Sequence, residues 1–84
     1  MFQQPESVVY DSQRDLLFVS NVNGAPDEAN GKGYISQLSV DGKLIEQHWL
    51  IGLDAPKGLA IVGDTLYVAD LNQLVAIDIK HKKI

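Results

Sequence analysis

Two stretches decide the fold: Pro56-Lys57-Gly58-Leu59-Ala60-Ile61 and Leu66-Tyr67-Val68-Ala69-Asp70. Both are short, rich in Leu, Val, Ile and Tyr, and separated by the turn residues Gly63-Asp64, so they read as a β-hairpin. Each has an earlier counterpart. Pro5-Glu6-Ser7-Val8-Val9-Tyr10 lies 51 residues before the first, and Leu17-Phe18-Val19-Ser20-Asn21 lies 49 before the second. A third pair, Ile35-Ser36-Gln37-Leu38-Ser39 and Leu74-Val75-Ala76-Ile77-Asp78, is offset by 39. The same three strands therefore occur twice, and the first copy has the longer loops. A repeat of this length is the mark of a propeller or a solenoid.

Working outward from the repeat, strands A to D of the first copy are Ser7–Asp11, Leu16–Asn21, Tyr34–Leu38 and Leu44–Leu50. Val40-Asp41-Gly42-Lys43 reads as a second two-residue hairpin, with Asp-Gly at its turn. Four antiparallel strands describe one blade, and closed propellers have ~4–8 blades. Leu16-Leu17-Phe18-Val19 is apolar on both faces, as a strand between neighbouring blades must be. Strand D carries Glu46, Gln47 and His48, which suits an outer edge turned to solvent, with Trp49 covering that edge. The second copy has A, B and C and no clear D. The fold class expected is all-β: a propeller fragment of about two blades. Residues 1–52 make the first blade, with a long loop over 22–32, and residues 53–84 make a second, incomplete one. At least six strands in two antiparallel sheets follow, joined by Gly52–Pro56, with no helix longer than one turn.

Composition narrows the functional classes. The 84 residues are 45% hydrophobic and 21% charged, as in an ordinary globular domain. A net charge of −4 argues against nucleic acid and anionic membranes as partners. The basic run Lys80-His81-Lys82-Lys83 reads as a solvated tail. The absence of cysteine excludes disulfides, thiolate metal sites and a Cys nucleophile. Met1–Glu6 has neither the basic nor the apolar region of a signal peptide, and no apolar run approaches the ~20 residues of a membrane span. The compartment stays open.

The second copy resembles the NHL repeat, in which a Pro-x-Gly start leads into a Tyr-Val-Ala-Asp strand and a short third strand. The opening, Glu6-Ser7-Val8-Val9-Tyr10-Asp11 followed by Leu16-Leu17-Phe18-Val19, resembles the first blade of the senescence-marker-protein and gluconolactonase family. The resemblance covers nearly the whole chain. It implies a propeller of six blades or close to it, often exported or periplasmic. It also implies a divalent metal, usually calcium, at the top centre, and hydrolysis of a lactone or related sugar-acid substrate. It assigns Glu6 to the metal. The remaining ligands of that family lie on later blades. Ser20-Asn21 departs from the Asp often found after the strand B run, and Lys57 puts a cation at the second-blade equivalent of Glu6.

Geometry gives a separate reason to look at one face. In an antiparallel pair the start of A lies beside the end of B. Glu6, Asn21 and the long loop therefore share a face with Lys57, Asp70 and Asn72. The loop holds Asp27, Glu28 and Asn30, oxygen ligands suited to a hard cation or to solvent alike. Asn30-Gly31-Lys32-Gly33 lacks the acidic spacing of an EF-hand, and its glycines serve a tight return into strand C. His48 and His81 fall away from this face, so no Ser-His-Asp triad is visible.

Two functions remain open. One is part of a metal-dependent lactonase-like hydrolase. The other is part of a non-catalytic propeller that binds a ligand or protein through its top face. On either, the chain alone is expected to be an inactive fragment that self-associates through exposed blade faces.

Overall fold

The structure is a computed structural model that describes residues 5–22, 31–71 and 73–84. Seven strands follow one another: β1 Pro5–Asp11, β2 Leu16–Asn21, β3 Gly33–Ser39, β4 Leu44–Leu53, β5 Pro56–Val62, β6 Thr65–Asp70 and β7 Gln73–Asp78. They form a four-stranded sheet, β1-β2-β3-β4, and a three-stranded sheet, β5-β6-β7. All pairs are antiparallel neighbours in sequence. The protein is all-β, and no helix occurs among the described residues. The expected sheets are present with their expected strand counts.

Several boundaries differ from the sequence reading. β4 runs on to Leu53 and β5 starts at Pro56, so the joint is Asp54-Ala55 rather than Gly52–Pro56. Gly52, at φ +87°, lets β4 continue past an irregular stretch. The β3–β4 register also shifts at three places, which alternation alone could not reveal. The turn at Asp41-Gly42 has three residues rather than two. Gly42 N–H donates to Ser39 O (3.0 Å) and Ser39 N–H to Lys43 O (2.9 Å), with Gly42 at φ +88°. That is a type I turn closed by a glycine bulge. Gly63-Asp64 is a two-residue turn as expected, with Val62 opposite Thr65.

The core lies between the sheets. Phe18, Ile35, Trp49, Leu50 and Leu53 of the first sheet meet Leu66, Val68 and Ile77 of the second, along with Ile79. Trp49 does not cover the outer edge. It turns inward, 5% exposed, with its ring 4.8 Å from that of Phe18. An edge strand bends most easily, and the β3–β4 irregularities allow Trp49 to fill the space between the sheets.

Alternation shows which side of each sheet takes part. On β2, Phe18 faces the second sheet. On β6, Leu66 and Val68 face the first sheet, and Tyr67 lies on the far side with the exposed Ala69. The repeat equates Phe18 with Tyr67, and Leu17 and Val19 with Leu66 and Val68. The second sheet therefore turns toward the first the side that the first sheet turns away. The two units stack front to back, as successive members of a series do, and not front to front as a two-fold pair would.

Candidate functional site

The face singled out by sequence is assembled by strand pairing. Pro5 lies opposite Asn21, and Pro56 lies opposite Asp70. Glu6 and Lys57 thus open the first strand of each sheet, at the ends where Asn21 and Asp70 close the second. Asp27, Glu28, Asn30 and Asn72 lie outside the described residues.

The four described residues divide into two kinds. Glu6 and Lys57 are exposed. Asn21 and Asp70 are buried, and both are held by hydrogen bonds. Asp70 Oδ1 accepts from the backbone N–H of Asp54 (3.0 Å) and Ala55 (2.7 Å), and its Oδ2 lies 3.1 Å from the same Asp54 nitrogen. Leu71 N–H adds a bond to Ala55 O at 3.3 Å. The carboxylate therefore latches the joint between the sheets. Charge-assisted bonds of this type are about twice as strong as neutral ones. Asn21 holds its own sheet instead: its Nδ2 donates to Val19 O (3.1 Å) and to Ser36 Oγ (3.0 Å). Its buried Oδ1 has no hydrogen-bond partner among the described residues. Ser20 completes the contact between sheets by donating its hydroxyl to Lys57 O at 2.7 Å.

These roles bear on the implied metal. Calcium takes ~6–8 oxygen ligands. Of the two carboxylates among the four described candidates, Asp70 is held by the joint and Glu6 makes no hydrogen bond to another described residue. No group of three or more His, Asp or Glu among the described residues is arranged to hold a metal ion. The described part of this chain does not by itself fit a calcium cage.

The opposite end of the sheets carries features the sequence reading passed over. Arg14, in the β1–β2 turn, donates from Nη1 to Asp11 Oδ2 (2.9 Å) and from Nη2 to Asp64 Oδ1 in the β5–β6 turn. It pins one sheet to the other at the end remote from Asp70. Asp78 fixes the C-terminal turn. Its Oδ1 accepts from the N–H of Lys80 (3.0 Å) and His81 (3.3 Å), and its Oδ2 lies 2.8 Å from His81 Nδ1. The His81 bond, followed by the backbone donors, holds the Asp78 carboxyl below the usual value. The tail is exposed, as a solvated end should be, and the backbone bonds that Asp78 and Lys83 exchange also tie it to β7. Beside it an open groove of about 510 Å³ runs past Asp64, Thr65, Ala76, Lys80, His81 and Lys83.

The only signals for the latch were Asp70 and Asn21 standing at matched repeat positions. Their inward turn could not be read from residue type. No protein-family model, curated protein or solved structure matches the chain.

Proposed function

We propose that this chain forms two successive blades of a β-propeller of the NHL-repeat and gluconolactonase-like kind, and contributes part of its ligand-binding face. The front-to-back stacking of two equivalent sheets carries this reading, because a propeller is built by repeating that step. On this reading Glu6 and Lys57 point to the bound molecule and Asn21 and Asp70 hold the frame. A lactone or sugar acid, bound with calcium or another divalent cation whose further ligands come from other blades, is the ligand class that the resemblance implies. An exposed carboxylate and an exposed ammonium at corresponding strand starts suit a polar, oxygen-rich molecule of that class.

A second reading is a non-catalytic propeller that binds a ligand or protein on the same face. It is favoured by the use of Asp70 for the latch, which removes a carboxylate from any metal site. Calcium titration calorimetry and lactone-opening rates, on the assembled protein and on Glu6→Gln, separate the two. Calcium binding and turnover that both fall in the variant support the hydrolase. Equal calcium affinity in both forms removes Glu6 from a metal site. Ligand binding with no turnover in either form leaves the non-catalytic propeller.

A further inference from the structure

The interface between the two sheets has two halves, and each half has an unused equivalent elsewhere on the chain. The second sheet contributes Leu59, Ile61, Leu66 and Val68, which pack into or against the core. At the equivalent positions of the first sheet stand Val8, Tyr10, Leu17 and Val19, on its far side. Val8 is 61% exposed and Tyr10 is 52% exposed. The first sheet contributes Phe18 and Ile35, both fully buried. Their equivalents on the far side of the second sheet are Tyr67, half-buried, and Leu74, 72% exposed, with Val62 beside them at 68%. Val8, Tyr10 and Leu74 are thus exposed at positions whose equivalents pack into or against the existing interface, whereas Leu17 and Tyr67 are half-buried and Val19 is buried.

We propose that a second copy of this chain docks head to tail, laying the outer face of its β1–β2 on the outer face of β5–β7. One chain carries both complementary surfaces, so the contact is heterologous and can repeat. Asp64 occupies the turn of the second sheet that meets Arg14 in the existing interface. Its equivalent in the first sheet is Asp15, which is exposed. In the docked copy Asp15 comes to the end of β5–β7 where Lys80 and Lys83 line the groove together with Asp64 and the Asp78–His81 pair. Apolar area of this kind on both outer faces drives association, since soluble monomers rarely leave such patches open. This inference does not depend on the ligand.

The test uses two single variants, Leu74→Glu and Val8→Glu, followed by sedimentation velocity. Both positions are already exposed, so the folded monomer accommodates them, which far-ultraviolet circular dichroism checks. The wild-type chain is expected to associate at micromolar concentration. Each variant alone is expected to be monomeric, since each has lost one half of the contact. An equimolar mixture of the two is expected to form a one-to-one dimer, because each variant retains the half that the other lacks. A monomeric wild type overturns the proposal. So does a variant that still dimerises by itself, which would indicate a symmetric contact or strand pairing at the free β7 edge. A mixture that remains monomeric overturns it as well.

Discussion

Asn21 and Asp70 occupy the same place in the two copies of the repeat and do different work. Asp70 reaches out of its sheet and holds the Asp54-Ala55 joint. Asn21 reaches within its sheet to Ser36, whose own hydroxyl bonds Gln47 O at 2.5 Å. The residue equivalent to Ser36 in the second sheet is Val75, which has nothing to offer an amide. The positions equivalent to Asp54 and Ala55 ahead of the first sheet are Gln3 and Gln4, outside the described residues. A carboxylate thus stands where two backbone N–H groups converge. An amide stands where a carbonyl and a hydroxyl need a donor. One position in a repeat can be kept for its direction while its chemistry follows its neighbours.

The largest expected effect comes from the paired aromatic positions. Phe18→Ala should cost about 4 kcal/mol in urea unfolding, within the range for a fully buried aromatic, and Tyr67→Ala about 1 kcal/mol because its face is only partly covered. If Phe18→Ala prevents folding, Phe18→Leu supplies the smaller perturbation. Equal losses at the two positions would break the front-to-back assignment.

The latch comes next. Asp70→Ala leaves the N–H groups of Asp54 and Ala55 without acceptors and should cost about 3 kcal/mol, whereas Asn21→Ala should cost about 1 kcal/mol. Hydrogen exchange at Asp54 and Ala55 should speed up in the first variant and stay unchanged in the second.

Gly33→Ala should cost about 2 kcal/mol by overpacking. A Cβ there would run into Pro56 Cδ and sit 3.0 Å from Asp54 O, at the same joint. Arg14→Ala should cost less, about 1.5 kcal/mol: the pair with Asp64 is open to solvent, but the buried Asp11 carboxylate loses its charged donor. Denaturant midpoints read both.

The smallest effect is one of pH. Asp78 is held below its usual carboxyl value, first by His81 and then by backbone donors. A depressed folded value means the stabilisation is present above the unfolded pKa and is lost as pH falls through the folded one. The amide signals of Lys80 and His81 should therefore shift with a midpoint below 3.8, and Asp78→Asn should abolish that shift.

The repeat made the fold legible. Seven strand cores and both sheets followed from alternation and from three matched segments. What stayed hidden depends on contacts between strands rather than along them. The β3–β4 register shifts, the inward turn of Trp49 and the extra turn residue at Val40-Asp41-Gly42 belong to this group. At the candidate site, the pairing of strand ends placed Glu6, Asn21, Lys57 and Asp70 on one face. Burial then split them, because a polar residue at a strand end reads the same whether it meets solvent or a backbone N–H. The latch was also hidden for a second reason: its donors lie in the joint, which has no regular pattern.

The most direct test of front-to-back stacking is a set of nuclear Overhauser contacts from the Phe18 ring in the monomeric Leu74→Glu variant. Stacking in series predicts contacts from Phe18 to methyl groups of Leu66 and Val68, and none from Phe18 to the Tyr67 ring. Contacts between the Phe18 and Tyr67 rings within one chain would mean that the sheets meet by the same side, and would contradict the series on which the propeller reading rests.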